Sequence, residues 1–202
     1  MNPIPLVNCS DQLTAVILEG VKDTIGPAAF EEAVTQAGLE NLLDVGASLS
    51  AGDFSALRCA LADTYGQQGA GGIVLRAGRA AFNYFLKKFA QPAGFDDPAF
   101  RLLPIRKRIL TGLRGIASVF SGDCGCKIQV QAGEGHWTWV AERCLECDSR
   151  SETAPACLFT VGLLQEFMSW ISAGRVYPIR ENACRARGDP ACEIIIEQRF
   201  LD

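Results

Sequence analysis

The stretch CKIQVQAGEGHWTWVAER, residues 126–143, divides the chain into halves of different period. Ile128, Val130 and Ala132 alternate with Lys127, Gln129 and Gln131, and Trp137 and Trp139 stand two apart beyond the glycine-flanked Glu134. Side chains two apart share one face of a strand, so the pattern predicts a β-hairpin with an apolar face. Such a face needs a cover.

Upstream the period is helical. Leu75, Gly78, Phe82, Phe85, Leu86 and Phe89 fall on one helical stripe, and Leu102, Ile105, Ile109, Leu113, Ile116 and Phe120 on another. Shorter helices are expected from Gln12 to Thr24, Pro27 to Ala37 and Asp53 to Tyr65, separated by glycine-containing breaks. Downstream, VYPIRENAC (176–184) and ACEIIIEQ (191–198) read as two further strands around a Gly188-Asp189-Pro190 turn. Between the hairpin and these strands, Cys157 to Ala173 reads as a mostly apolar, largely buried helix, with Pro155 suited to its first turn. The expected class is therefore α+β: a helical layer over about 10–121, packed on a four-stranded antiparallel sheet over about 124–200, in the order β-β-α-β-β.

With 202 residues, 49% of them hydrophobic, the chain suits one domain spanning residues 1–202. The net charge of -4 opposes nonspecific attachment to nucleic acid or to an anionic membrane. The opening MNPIPLVNCS has neither the basic start nor the apolar run of a secretory signal, and no stretch is long and apolar enough to span a bilayer, so a cytoplasmic protein is expected. Arg101, Arg106, Lys107, Arg108 and Arg114 read first as a solvated helix face, and second as a seat for an anionic ligand or acidic partner.

Nine cysteines, an odd number without an export signal, do not describe a disulfide scaffold. Cys9 and Cys59 read as small core hydrophobes. The other thiols all lie beyond residue 120. Cys184 and Cys192 are equidistant from Gly188, so a hairpin centred there sets them opposite each other, close enough to share a metal or, less readily in a reducing compartment, a disulfide. Glu181 joins them only if a bulge turns its side chain round, and Cys157 at the head of the buried helix is the natural fourth donor. Cys144 and Cys147 form a CxxC, open to reading as a redox pair, half a zinc knuckle or exposed loop thiols. Cys124 and Cys126 form a CxC, expected at the opposite end of the hairpin from the CxxC, so that no single four-cysteine site is anticipated.

The stretch APACLFTVGLLQEFMSWISAGRVYPIRENACRARGDPACEIII, residues 154–196, resembles the C-terminal signature of the 4-vinyl reductase domain family, also called hydrocarbon-binding proteins. Pro155, Cys157, Gly162, the Gly174-Arg175 pair, Glu181, Cys184, Gly188 and Cys192 carry the likeness, and LRAGRAAF at 75–82 extends it more loosely. Members include sensor domains of phenol-responsive bacterial activators and a protein of the bacteriochlorophyll pathway, and the fold is of the NO-signalling and Golgi-transport ligand-binding type. The resemblance implies a zinc ion on Cys157, Glu181, Cys184 and Cys192, although the helix-to-glutamate spacing differs by one residue near Gly174. Three thiolates and a carboxylate would close a tetrahedral zinc and make it structural. Free thiols in a metal-less relative are the alternative.

The resemblance also implies a buried site for a small hydrophobic ligand. Phe82, Phe85, Trp137, Trp139, Phe159, Phe167 and Trp170 are the candidates to line it, and equally to fill an ordinary core. His136, the only histidine, falls at a hairpin edge where solvation is usual and a helical haem ligand is not expected. No nucleophile–histidine set stands out, and GQQGAGG at 66–72 lacks the lysine of a phosphate loop. The expected function is a standalone ligand-binding or sensing domain that signals through a homodimer or a separate partner. An enzyme, or an accessory subunit, of (bacterio)chlorophyll vinyl reduction is the alternative, for which no redox-cofactor motif is found.

Overall fold

The computed structural model describes residues 7–147 and 156–201. The first-turn role expected for Pro155 lies outside the described residues. Helix α1 (Asp11–Ile25) starts where the Ser10 side chain accepts from the Leu13 N–H, and ends at Gly26, whose φ of 85° stops the helix before Pro27 opens α2 (Pro27–Gln36). A 3-10 turn (Glu40–Leu43) leads to α3 (Ala51–Phe89), headed by a reciprocal Ser50–Asp53 capping box. The two helices expected around residues 53–65 and 75–89 are one run, broken in direction at Gly66, where φ is 71° and ψ 163°. That conformation is one only glycine adopts without strain.

Proline corrects the second stripe. Pro98 opens a short α4 (Pro98–Leu102), and Pro104 caps a separate α5 (Ile105–Cys124). Leu102 is thus not part of the buried stripe, and it stands 85% exposed. Ile109, Leu113, Ile116 and Phe120 on α5 are buried as expected.

The hairpin β1 (Lys127–Ala132) and β2 (His136–Arg143) forms as its alternation predicts. Helix α6 (Leu158–Ile171) follows, then β3 (Ile179–Ala183), a 3-10 turn (Arg185–Arg187) and β4 (Cys192–Glu197). The four strands are antiparallel in the order β1-β2-β4-β3, so β4 is interior although it comes last in the chain.

Register explains where the apolar face ends. Trp137 pairs with Ile196, Trp139 with Ile194 and Ala141 with Cys192, and all six are buried. This row of buried pairs therefore terminates at Cys192, beside the point where β2 hands the chain to Cys144. Between Glu181 and Ala183 the β3–β4 register slips, the irregularity needed to turn Glu181 toward the side of Cys184.

The helical cover is held close by two glycines. A Cβ on Gly78 of α3 would lie 2.1 Å from the Phe159 carbonyl oxygen, and one on Gly162 of α6 would lie 2.0 Å from that of Leu75. The backbones of α3 and α6 thus meet almost directly. Phe54 and Phe159 pack edge to face beside this crossing, with ring centroids 5.9 Å apart. No helix among the described residues is long and apolar enough to cross a membrane.

Two cysteine expectations change at this level. Cys9 is not a free core thiol, because it is disulfide-bonded to Cys124 and ties the segment before α1 to the end of α5. Cys59 is exposed rather than buried.

Candidate metal centre and adjoining pocket

Three chain segments deliver thiols to one point. Cys144 and Cys147 lie just beyond β2, Cys157 is the residue preceding α6, and Cys184 and Cys192 flank the turn between β3 and β4. The sulfur of Cys157 is 3.7 Å from that of Cys144 and 3.3 Å from that of Cys147, and Cys147 is 3.3 Å from Cys184. Cys144, Cys147, Cys157 and Cys192 have their sulfurs all within 4.8 Å of one another, and so do the donor atoms of Cys157, Glu181 and Cys184.

The CxxC thiols are not exposed loop groups. Cys144 is 6% and Cys147 4% exposed. The expected separation of the CxC and CxxC by the length of the hairpin is also corrected, because Lys127 pairs with Arg143 and the entry to β1 lies beside the exit from β2. The hairpin's own antiparallel geometry is the signal for this proximity.

Backbone and charged groups hold the donors in place. Glu181 accepts from the N–H of Ala156 (2.9 Å) and of Cys157 (3.3 Å), which keeps its carboxylate at the head of α6. Asp189 accepts from the Cys184 N–H at 2.7 Å, and the Cys192 sulfur accepts from the Arg185 N–H at 3.4 Å. Within the CxxC, Glu146 is buried and accepts from the N–H groups of Phe159 (2.8 Å) and Thr160 (2.9 Å) and from the Thr160 hydroxyl (2.7 Å). It caps α6 from outside the helix, and burial pushes its pKa up to about 7. Thiol donation, first from Cys144, pulls the Cys192 pKa down, while the same neighbours, Cys144 foremost, push that of Cys157 up.

The donor set suits a metal ion. Four sulfurs around a tetrahedral ion with metal–sulfur bonds of about 2.3 Å stand roughly 3.8 Å apart, close to the separations here. Soft thiolates favour zinc or another thiophilic metal.

The aromatic candidates separate into core and rim. Phe82, Phe85, Phe159 and Phe167 are fully buried, and Trp137 and Trp139 form the apolar face of β2. The space between sheet and helices that Trp139 and Phe159 border measures only about 20 Å³, room for one water. Trp170 differs, being 44% exposed despite lying on a largely buried helix. It packs against Phe95 (centroids 5.3 Å apart) and Phe82 (5.8 Å), and Phe95 stacks on Phe100 at 5.4 Å.

These rings border a half-open pocket of about 460 Å³, completed by Leu86, Ala90, Ile171, Asp96, Arg101 and Arg108. Phe95 and Phe100 escape the sequence reading because they sit on the turn and short helix between α3 and α5, off either helical stripe. Of the basic cluster, Arg101, Arg106, Lys107 and Arg114 are exposed as a solvated face should be. Arg108 is half-buried. Its Nη1 donates to the Arg101 carbonyl at 3.4 Å, but its buried Nε has no partner.

The strand–helix–strand–strand unit with its cysteine-bearing ends is the part of the chain that decides its kinship. Residues 137–198 match the 4-vinyl reductase domain family. This 4-vinyl reductase segment holds Cys144, Cys147, Cys157, Glu181, Cys184 and Cys192. Among solved structures, the chain is similar to the phenol-responsive sensory domain of the transcription activator PoxR with phenol, at 22% identity over 71% of each chain and a TM-score of 0.53. It is also similar to an H-NOX protein of S. oneidensis in the Fe(II)NO ligation state (14% identity, 95% of this chain and 99% of that one, TM-score 0.63). An unliganded Fe(II) H-NOX protein of K. algicida aligns at 11% identity over 96% and 97%, with a TM-score of 0.61. No curated protein matches the chain. The 4-vinyl reductase segment and its helical cover thus have the α+β fold of these sensory and H-NOX structures.

Proposed function

We propose that the chain is a sensing domain that binds a small, mainly aromatic molecule, and that a structural zinc fastens its 4-vinyl reductase segment. The pocket beside Trp170 carries the first part. Its volume lies in the usual range for small-molecule sites, and its walls pair aromatic faces with a few convergent polar groups. The unpartnered Arg108 Nε suits a ligand with one hydrogen-bond acceptor, such as a phenolic oxygen. The solved relative described with phenol supports the same ligand class.

In this reading Trp170 touches the ligand, while Phe82, Phe85 and Phe167 form the ring packing behind it. Trp137, Trp139 and Phe159 shape the sheet side. Zinc is assigned to the cysteine cluster, with Cys157, Glu181, Cys184 and Cys192 as the donors that the family resemblance implies. The bound state is passed on through a dimer or a separate partner, which native mass spectrometry resolves by subunit count.

Calorimetric titration of the metal-loaded protein with phenol and with toluene tests the ligand reading. Saturable binding of phenol is expected, with Arg108→Met weakening phenol about tenfold, in keeping with a lost charge-assisted hydrogen bond, and leaving toluene little changed. Trp170→Ala should weaken both. Absence of binding by either arene, or a Trp170→Ala variant that binds as the parent does, would sink the assignment.

A further inference from the structure

Resting on the reading of the cysteine cluster as a metal site, we propose that it holds two ions rather than one, joined by the Cys157 thiolate. The first ion takes Cys144, Cys147, Cys157 and Cys192. The second takes Cys157, Glu181 and Cys184 and keeps a fourth position for an exchangeable donor.

Donor number is the starting point. A tetrahedral ion accepts four ligands, yet five buried thiols and one carboxylate converge here. If one ion took the four-thiol set, Cys184 would remain buried and uncoordinated beside the Cys147 sulfur, 3.3 Å away. If one ion took Cys157, Glu181, Cys184 and Cys192, then Cys144 and Cys147 would be left as buried thiols against Cys157. Either single-ion arrangement strands donors that the fold has brought into contact.

Geometry divides the donors in the same way. The two sets whose ligand atoms lie mutually within 4.8 Å have Cys157 alone in common. A thiolate has lone pairs enough to bridge two ions, and Cys157 stands at the head of α6, where the helix N-terminus favours an anionic sulfur. Charge argues likewise. One divalent ion on four thiolates remains anionic, and adding an ionised Cys184 and Glu181 without a counter-ion would bury further negative charge. A second divalent ion offsets that charge.

The two positions differ in kind. Four thiolates on the first ion leave no open position, as in structural sites. The second has three protein donors, two of them sulfur and one oxygen, so it should bind more weakly and exchange its fourth ligand with solvent or a small thiol. Glu181 is positioned for this by its hydrogen bonds from Ala156 and Cys157, both made at the start of α6.

The test is a titration of the reduced, metal-stripped full chain with zinc, read by native mass spectrometry, and in parallel with cobalt(II), read by absorption and electron paramagnetic resonance. Two zinc ions per chain are expected, the second removed by a chelator that leaves the first. The cobalt resonance should grow through the first equivalent and fade through the second, because a bridging thiolate couples the two spins. Glu181→Gln should weaken the second ion about tenfold or more without changing the first-equivalent spectrum, and Glu181→Asp should restore part of it. Saturation at one zinc ion per chain, or two ions bound equally well by Glu181→Gln, overturns the two-ion proposal while leaving a metal site in place. No zinc at all overturns the metal reading as well. Should Glu181→Gln fail to fold, the cobalt resonance of the unaltered chain decides alone: persistence of an uncoupled signal at two equivalents overturns the proposal.

Discussion

Glu146 sits in the middle of the CxxC, yet its carboxylate serves the helix and not the sulfur cluster. Its three acceptances at Phe159 and Thr160 satisfy the N-terminus of α6, the helix that carries Cys157. Glu146→Ala should cost about 1–2 kcal/mol and lower Tm by roughly 2–8 °C, measured by thermal melts monitored by circular dichroism. A second residue, Tyr84 on α3, donates its hydroxyl to Asp23 of α1 at 2.7 Å, and that bond, with the carboxylate's charge, pushes the tyrosine pKa up to about 12. Because the folded value is raised above the unfolded one near 10, the bond's contribution is complete below pH 10 and disappears as pH climbs through 12. The stability gap between parent and Tyr84→Phe should be below about 1 kcal/mol at this exposed pair and close over that window. Ultraviolet titration of the phenols checks the assignment. At this scale the sequence is partly transparent: the symmetry of Cys184 and Cys192 about Gly188 points to the cluster, and the slip between Glu181 and Ala183 supplies the expected bend. Cys144 and Cys147 are harder to read because their partners are distant in sequence, and only pairing register brings them in.

Among elements, the closest approach is the crossing of α3 and α6. Gly78 and Gly162 each face the other helix's backbone at a distance no Cβ can occupy, so Gly162→Ala forces the pair apart. A loss of about 2–3 kcal/mol is expected from the urea midpoint, comparable with overpacking in other cores. Gly72, whose added Cβ would meet nothing within 4 Å, serves as the control and should tolerate alanine well. The periods of 2 and 3.6 make every long element legible, including the hairpin and α6. Pro98 and Pro104 override the helical stripe that runs across them: they cut Leu102 away from α5 and create the short α4 that carries Phe100 to the pocket. Aromatic spacing likewise does not tell rim from core. Trp170 is marked off only by where α6 ends, beyond the helices that cover the rest of it.

For the molecule as a whole, the Cys9–Cys124 disulfide closes a sequence separation of 115 residues around the helical layer. Reduction, or Cys9→Ala, should lower stability by about 2–4 kcal/mol, seen as a shifted urea midpoint with the sheet still formed. Sequence composition argues against such a bond, since an odd cysteine count says nothing of which two thiols the fold brings together. The strand order has a consequence for biosynthesis. Because β4 lies between β2 and β3, a nascent chain that has not yet extruded residues 192–197 has its helices but only separated pieces of its sheet. Trp137 and Trp139 then lack their Ile196 and Ile194 neighbours, and the thiol cluster lacks Cys192. The ribosome must therefore release nearly all of this stretch before the apolar face can close, which makes the interval just before β4 emerges the moment when chaperones have most to protect.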